Sequence, residues 1–324
     1  MPWHWKEHAS IVLGHTGASN PQSPGNRFEW SLMLKSARAD RSGFVRRSGQ
    51  RIHWQEFGSG DRAILLLPTW SIVHSDFWRH QVVYFSSRYR VITYDGLGNG
   101  ASDRPTDPSF YGDYHFADDA VAVLDATGTQ EAAIACVSAG ASWALALAGR
   151  HPERVSAAVF IGASVPLAPP DPERAVAAAE FETELPEYTE WSKWNRHFWL
   201  SHYPEFLRFF FSKCFTEPDS AEQIEHFFQM GMETTPEVLL ATSGLPDQCL
   251  DREAATRFAQ ILGCPSLVIH GDADAISPLQ RGREIARLAG STLEIIGGAG
   301  HEPQCRFPDR TNGLIERFLE GIGR

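Results

Sequence analysis

Short apolar runs and longer amphipathic stretches alternate along the middle of this chain. Residues 63–67 and 90–94 are apolar enough to be buried strands, and residues 51–57 alternate apolar and polar side chains like a half-exposed strand. Residues 77–85 and 116–127 space their apolar side chains as amphipathic helices do. The pattern predicts βαβ units in an α/β fold with a parallel sheet, and we expect the first strands to form an antiparallel edge.

The alternation ends after Gly162 and resumes at about Arg252. The residues between them have a proline-rich start, no convincing strand pattern and several helical stretches dense in aromatic side chains. A helical segment between two parts of an α/β pattern indicates an inserted cap. The expected domains are an N-terminal extension of residues 1–43, an α/β core of residues 44–165 and 252–324, and a helical cap of residues 166–251.

One apolar run leads directly into a turn of small residues that contains a serine. Residues 135–141 have the sequence Ala-Cys-Val-Ser-Ala-Gly-Ala, and a helical pattern follows from Trp143. Ser138 between a strand and a helix fits a nucleophile elbow, in which a strained turn exposes the hydroxyl. Gly140 allows the strand and the helix to approach, although Cys136 stands where the commonest form of the motif has glycine. A serine that caps a helix is the alternative interpretation.

A serine nucleophile needs a base, and the base needs an acid that orients it. The apolar run 267–270 is followed by Gly-Asp-Ala-Asp, and the run 293–296 is followed by Gly-Gly-Ala-Gly-His-Glu. The candidates therefore occur in the order Ser138, Asp274, His301. Serine, then acid, then histidine is the order that accompanies the nucleophile elbow.

With these motifs the chain resembles the α/β-hydrolase superfamily, in its serine-nucleophile, capped, esterase-like branch. The matching stretches are Leu-Leu-Leu-Pro-Thr-Trp at residues 65–70, Asp-x-x-Gly-x-Gly-x-Ser-x-x-Pro at residues 95–105, the elbow, and the acid and histidine loops. The resemblance implies the α/β-hydrolase fold, with a mostly parallel central sheet flanked by helices and an inserted helical cap. It also implies a Ser-His-Asp triad, but it does not imply the substrate.

The resemblance favours Asp274 over Asp272 as the acid. Gly271 and Pro278 frame Asp274 in the superfamily pattern Gly-x-x-Asp-x-x-x-Pro. We therefore expect Asp272 to cap or orient the loop.

The resemblance also implies an oxyanion hole of two backbone N–H groups, which would belong to Trp70 and Ala139. Relatives usually have His-Gly before the first of these donors, whereas this chain has Pro68 and Thr69. This departure removes a flexible glycine and a histidine that stabilises the loop.

Most aromatic side chains of the cap are expected to form its own core, while a few should line an apolar pocket between cap and core. The candidate pocket residues are Trp70, His74, Trp191, Trp194 and Trp199. For His74, a histidine at the start of a helix is the alternative interpretation.

The composition narrows the classes of partner. The formal net charge of −11 argues against nucleic acid, whose binding needs clustered lysines and arginines. The polar N-terminus and the lack of any run near ~20 apolar residues predict neither a secretory signal nor a membrane partner. Five scattered cysteines are typical of reduced thiols in the cytoplasm. We expect no metal site, and a homodimer is a possible oligomeric state.

These observations together predict a serine hydrolase that needs no cofactor. It would cleave small to medium, apolar or aromatic carboxylic esters through an acyl-enzyme. The same residues could cleave lactones, thioesters or carbon–carbon bonds. They could also transfer the acyl group to an acceptor other than water. The non-enzymatic alternative is a small-molecule receptor or regulatory module, which sustained turnover would exclude.

Overall fold

The computed structural model describes residues 38–243 and 249–322. Eight strands form one sheet: β1 (Arg41–Arg47), β2 (Gln50–Phe57), β3 (Ala63–Leu66), β4 (Arg90–Tyr94), β5 (Ala132–Val137), β6 (Val155–Ile161), β7 (Ser266–Gly271) and β8 (Thr292–Ile296). Their order across the sheet is β1-β2-β4-β3-β5-β6-β7-β8. Most of the predicted N-terminal extension, residues 1–37, lies outside the described residues, and β1 begins three residues before the expected start of the core at residue 44.

The sheet is parallel except at one edge. β1 pairs antiparallel with β2, and β2 pairs antiparallel with β4. The remaining neighbours, from β4 through β3, β5, β6 and β7 to β8, are parallel. The predicted antiparallel edge and the predicted mostly parallel sheet are both confirmed.

Twelve α-helices occur in the described residues: α1 (Arg79–Phe85), α2 (Asp113–Ala126), α3 (Gly140–Arg150), α4 (Pro172–Ala179), α5 (Arg196–Ser201), α6 (Tyr203–Cys214), α7 (Ala221–Gly231), α8 (Pro236–Ala241), α9 (Arg252–Gln260), α10 (Leu279–Ala289), α11 (Pro303–Arg306) and α12 (Pro308–Ile322). Four 3₁₀ helices accompany them: Ser75–Trp78, Pro108–Phe110, Pro152–Arg154 and Glu190–Lys193. None of the described helices is long and apolar enough to cross a bilayer.

The helices cover both faces of the sheet because the buried strands present apolar side chains to both sides. Along β5, Ala133 and Ala135 join a core cluster that includes side chains of α1 and α12. Ile134 and Cys136 join a second cluster with side chains of α2, α3, α9 and α10. Alternate residues of a strand point to opposite faces, so each face of the sheet has its own hydrophobic core.

The segment between β6 and β7 consists of helices and loops and has no strand among its described residues. Its helices α4 to α8 lie within residues 166–251, called the cap segment below. Its aromatic side chains belong to the same apolar cluster as α1 and α12. The division of the chain into a core and a separate cap stays a prediction.

The loop after β4 is organised around the buried carboxylate of Asp95. The carboxylate accepts hydrogen bonds from the Ser75 N–H and hydroxyl and from the Ala101 N–H, and it lies 3.2 Å from the Nδ1 atom of His53. The Ser102 hydroxyl donates to the Asp95 carbonyl at 2.6 Å. These contacts hold the motif of residues 95–105 in place beside the carboxyl ends of the strands.

Candidate active site

Ser138 lies in a strained turn between β5 and α3. Its φ angle is +53°, in the left-handed region that residues other than glycine rarely occupy. Its N–H donates to the Ile161 carbonyl, and its own carbonyl accepts from the N–H groups of Ala141 and Ser164, each at 3.0 Å. These bonds fix the turn to the end of β6 and to the first turn of the helix, as the nucleophile elbow requires.

Gly140 brings the turn into contact with the loop that follows β3. A Cβ atom on Gly140 would lie 2.7 Å from the Pro68 carbonyl oxygen and 3.4 Å from the Cβ atom of Cys136. Cys136 itself is fully buried, and its Sγ atom lies 3.4 Å from the Val159 carbonyl oxygen. Burial raises the pKa of Cys136, so the thiol stays protonated and serves as a packing side chain.

The predicted oxyanion donors lie on the two loops that meet at this contact. Trp70 is two residues after Pro68, and Ala139 directly precedes Gly140. Among the described residues, neither the Trp70 N–H nor the Ala139 N–H donates to another backbone carbonyl. Unpaired N–H groups on adjoining loops are what an oxyanion hole needs. Thr69, which replaces the usual glycine, is buried.

Asp274 and His301 form a buried pair beyond the ends of β7 and β8. The His301 Nδ1 atom lies 2.8 Å from the Asp274 Oδ2 atom, and both side chains are almost completely excluded from solvent. Asp274 Oδ1 accepts the N–H groups of Ile276 and Ser277, each at 2.8 Å. A carboxylate bonded to Nδ1–H leaves the Nε2 atom of the imidazole as the proton acceptor.

Asp274 and His301 each favour the charged form of the other. Burial alone would raise the pKa of Asp274, but the charge of His301 and hydrogen bonds from His270 and His301 outweigh burial and hold that pKa far below its usual value. Burial alone would lower the pKa of His301, yet the charge and hydrogen bond of Asp274 raise it above its usual value. Asp274 is therefore ionised at neutral pH, and it favours the protonated form of His301.

Asp272, the alternative acid, has a different partner. Its Oδ1 atom accepts the Gly298 N–H at 2.6 Å, which ties the loop after β7 to the loop after β8. This contact matches the orienting role that the sequence predicts for Asp272.

Gly162, the residue after β6, lies against both members of the buried pair. Its φ angle is +50°. A Cβ atom there would lie 2.7 Å from the His301 carbonyl oxygen, 3.3 Å from the His301 Nδ1 atom and 3.5 Å from Asp274 Oδ2. The preceding residue, Ile161, accepts the N–H of Ser138. The end of β6 therefore contacts both the turn of Ser138 and the Asp274–His301 pair, a role for Gly162 that no local sequence pattern indicates.

His270 is a site residue that the sequence analysis missed. Its side chain is fully buried, and its Nε2 atom lies 2.9 Å from the Ser277 carbonyl oxygen and 3.2 Å from Asp274 Oδ2. A carbonyl oxygen can only accept, so Nε2 carries the proton and donates. A histidine at the end of a buried strand, four residues before the candidate acid, is the signal that could have identified it.

The end of α6 and the residues after it hold the histidine loop from the cap segment. The carbonyl of Cys214 accepts the His301 N–H at 2.9 Å, and Glu217 Oε1 accepts the Gly300 N–H at 2.7 Å. A Cβ atom on Gly300 would lie 2.7 Å from the Cys214 carbonyl oxygen, so only glycine permits this approach. A movement of the cap segment would therefore move the backbone of His301.

Glu302 is a second buried carboxyl group beside His301. Its Oε2 atom accepts a hydrogen bond from Gln304 Nε2 at 2.5 Å. Burial raises the pKa of Glu302 to about 7, and the charges of Asp274 and Glu217 add to this effect against the opposing influence of His301 and Gln304. Glu302 is thus partly protonated at neutral pH.

Two of the predicted pocket tryptophans lie against Trp70. The ring centroid of Trp70 is 5.2 Å from that of Trp194 and 5.7 Å from that of Trp199, and Phe210 approaches it edge-on at 5.4 Å. The indole N–H of Trp70 donates to the Thr242 hydroxyl at 2.8 Å. Aromatic side chains of the cap segment therefore lie directly on the loop that holds a predicted oxyanion donor.

The other two candidate pocket residues have different surroundings. Trp191 is buried against Phe209, with ring centroids 5.3 Å apart. His74 begins a 3₁₀ helix, where its Nδ1 atom accepts the Asp76 N–H at 3.4 Å and its Nε2 atom lies 3.6 Å from Glu233 Oε1. The alternative interpretation of His74, a histidine at a helix start, describes this arrangement. The catalytic and pocket roles themselves stay predictions.

The chain is similar to several characterised enzymes. A family model described as alpha/beta hydrolase fold matches residues 62–307. The human protein named serine hydrolase BPHL is 26% identical over 277 residues, which cover 84% of each protein. The 2-hydroxymuconate semialdehyde hydrolase of Pseudomonas putida is 32% identical over 242 residues, which cover 72% of this chain and 78% of that relative. The crystal structure of a bromoperoxidase from Bacillus anthracis has the same fold, with a TM-score of 0.72 and 21% identity over 86% of this chain and 100% of that one.

Proposed function

The chain belongs to the α/β-hydrolase family and is an enzyme, and we propose that it is a serine hydrolase of carboxylic esters. The relatives named above include hydrolases. The observation that carries this proposal is the convergence at the end of β6: Ser138 occupies a strained turn, and Gly162 lies against the Asp274–His301 pair. A nucleophile, a base and an acid at one sheet edge are the parts that acyl transfer requires.

In the first half of the reaction, the Ser138 hydroxyl attacks the ester carbonyl. His301 accepts the hydroxyl proton at Nε2, while Asp274 holds the Nδ1–H and stabilises the imidazolium. The N–H groups of Trp70 and Ala139 donate to the oxyanion of the tetrahedral intermediate. His301 then gives the proton to the leaving alcohol as the carbon–oxygen bond breaks, and the acyl group stays on Ser138.

In the second half, water replaces the alcohol. His301 takes a proton from water, the resulting hydroxide attacks the acyl carbonyl, and the same two N–H groups bind the second oxyanion. The proton returns to Ser138 as the acid leaves. No step requires a metal or an organic cofactor, and a small ester-like molecule is the proposed partner.

The aromatic side chains over Trp70 support an apolar or aromatic substrate of small to medium size. Trp194, Trp199 and Phe210 place flat apolar surfaces next to the loop of a proposed oxyanion donor. Ligand sites favour such walls because they bury apolar area without adding unpaired polar groups. An aromatic acyl or alcohol group would stack on the partly exposed rings of Trp70 and Trp194.

One second candidate function has a specific observation in its favour. The chain is 32% identical to the 2-hydroxymuconate semialdehyde hydrolase of Pseudomonas putida. Hydrolysis of a carbon–carbon bond in a semialdehyde-type substrate would use the same three side chains.

The test is the hydrolysis of a panel of 4-nitrophenyl esters, from acetyl to long acyl chains, by the wild-type enzyme and by Ser138→Ala. We expect sustained turnover by the wild type and a loss of at least roughly 10³-fold in the variant. The preferred acyl length then measures the pocket under the cap segment. Turnover that survives in Ser138→Ala would overturn the proposal of ester hydrolysis. So would the release of a single equivalent of 4-nitrophenol followed by a halt.

A further inference from the structure

Arg174 lies on α4, at the junction between the cap segment and the loop of Asp274. Its guanidinium donates to the carbonyl of Ile276, two residues after Asp274. The guanidinium carbon lies 4.9 Å from the ring centroid of Trp191 and 5.7 Å from that of Trp194. Two aromatic faces and one carbonyl therefore surround this side chain, and Trp194 connects it to the cluster over Trp70.

Among the described residues, no carboxylate is bound to the positive charge of Arg174. In the part of the chain that the structure describes, Arg174 forms no ion pair. Burial lowers its pKa, and the carboxylates of Asp274 and Asp171 oppose this only through space. The Asp274 carboxylate is already paired with two histidines, because its Oδ2 atom lies 2.8 Å from His301 Nδ1 and 3.2 Å from His270 Nε2.

A second arginine adds positive charge to the same region. Arg281, on α10, is buried and donates to the Ala168 carbonyl at 3.1 Å and to the Ser164 hydroxyl at 3.0 Å. Burial and the charge of Arg174 lower the pKa of Arg281 to about 10, so it stays cationic at neutral pH. The Ser164 N–H in turn donates to the carbonyl of Ser138. Arg281 is thus linked through Ser164 to the turn of the proposed nucleophile, and the described residues provide no ion pair for Arg281 or for Arg174.

A largely buried cation without an anionic partner is costly, and an anionic group of a ligand would offset that cost. We infer that Arg174 binds a carboxylate of the substrate, so that the enzyme acts on esters that carry a free carboxylate on the acyl side. This inference rests on the proposed ester hydrolysis. It names the substrate class of the same site.

The surroundings of Arg174 favour a carboxylate over other anions. A guanidinium that stacks on tryptophan faces presents its N–H groups at its edge. In Arg174, Nη1 donates to the Ile276 carbonyl, and the other edge N–H groups suit the oxygens of a carboxylate in the same plane. The flat walls of Trp191 and Trp194 suit a planar or slender acyl chain better than a tetrahedral phosphate. Arg174 is bonded to the loop of Asp274, the proposed acid, which connects this anion site to the proposed catalytic residues.

The test compares matched esters that differ only in charge. One pair is 4-nitrophenyl hydrogen terephthalate and 4-nitrophenyl 4-isopropylbenzoate, and the other is 4-nitrophenyl hydrogen adipate and 4-nitrophenyl 6-methylheptanoate. Each isopropyl group has the shape of the carboxylate that it replaces. kcat/KM is measured for wild type, Arg174→Met, Arg174→Lys and Arg208→Met. Arg208 is the matched control because it lies over Phe228 in the cap segment but is exposed and ion-paired with Glu225.

We expect the wild type to favour the charged member of at least one pair. In Arg174→Met the ratio of kcat/KM for the charged over the neutral ester should fall roughly 10- to 100-fold, mainly through KM, the scale of a charge-assisted hydrogen bond. Arg174→Lys should keep part of the preference, and Arg208→Met should keep all of it. An equal loss on both members of a pair would show that Arg174 only ties α4 to the acid loop, and would overturn the inference.

Binding separates this result from a failure of the proposed hydrolysis. Calorimetry with Ser138→Ala, alone and combined with Arg174→Met, measures the affinity for terephthalate and for 4-isopropylbenzoate without turnover. A preference for terephthalate that needs Arg174 supports the anion site even if the wild type hydrolyses no ester of the panel. Equal affinities for the two acids overturn the anion site while leaving ester hydrolysis standing.

Discussion

The Nδ1 atom of His301 lies 2.8 Å from the Oδ2 atom of Asp274, in a space that excludes solvent from both side chains. The contact joins two loops that are 27 residues apart in the chain. Its electrostatic effect is to raise the pKa of His301 and to hold that of Asp274 far below its usual value. The proposed base and its acid therefore behave as one ionic unit.

The pH dependence of activity should report this unit. A base must be neutral to accept the Ser138 proton, so kcat/KM should rise with pH as His301 loses its proton, with a midpoint above the usual 6.5. Asp274→Asn removes the cause of the shift, so the midpoint should move to lower pH and kcat should fall by roughly 10⁴-fold. Rate profiles between pH 5 and 9 measure both effects.

Asp272→Asn is the matched control for this prediction. Asp272 is two residues from Asp274 and bonds Gly298 instead of His301. Its variant should keep the midpoint of the wild type. If the midpoint shifted in Asp272→Asn and stayed unchanged in Asp274→Asn, the acid would be Asp272 and not Asp274.

Gly162→Ala should damage the site through one methyl group. The new Cβ atom would lie 2.7 Å from the His301 carbonyl oxygen and 3.3 Å from Nδ1, so the histidine must move. We expect kcat to fall about 10- to 100-fold, because small displacements of catalytic groups are costly. The control is Gly290→Ala, at φ +66° with open space around it, which adds backbone strain without this clash. Equal kcat values in the two variants would show that Gly162 does not position His301.

Glu302 should make the enzyme less stable as the pH rises. Its folded-state pKa of about 7 lies above the ordinary value of 4.5, so the folded protein holds more protons than the unfolded chain between these values. The free energy of unfolding should therefore fall from about pH 4.5 to about pH 7 and then level off, as far as this group contributes. Glu302→Gln should stabilise the protein by about 1–3 kcal/mol at pH 8 and have little effect at pH 4.

Denaturant unfolding at pH 4 and pH 8 measures this difference. Glu222→Gln, at an exposed position on α7, is the matched control and should change stability little at either pH. A gain of stability in Glu302→Gln that is the same at both pH values would contradict the linkage.

Local patterns were enough to predict the sheet and the elbow. The apolar run of β5, the small residues around Ser138 and the helical spacing after it lie within about twenty residues, so their geometry is encoded locally. The order of the acid and histidine loops identified Asp274 and His301 as candidates. The structure then brings these two together.

The other site residues act across contacts that no local pattern records. Gly162 has a role only because His301 lies against it, and His270 only because the loop after β7 folds back on it. Glu217 reaches the histidine loop from the cap segment, 83 residues away in the chain. Arg174 is one arginine among many in the sequence. Its significance follows from the tryptophan faces around it and from the absence of an ion pair with any residue that the structure describes.

The most direct test of the account is to label the enzyme with a fluorophosphonate, which transfers its phosphonyl group to an activated serine and releases fluoride. Intact-protein and peptide mass spectrometry then count and locate the label. We expect one phosphonyl group per chain, on the peptide that contains Ser138, with labelling slowed at least 100-fold in His301→Ala and absent in Ser138→Ala. An unlabelled wild type, or a label that persists in Ser138→Ala, would contradict Ser138 as the nucleophile.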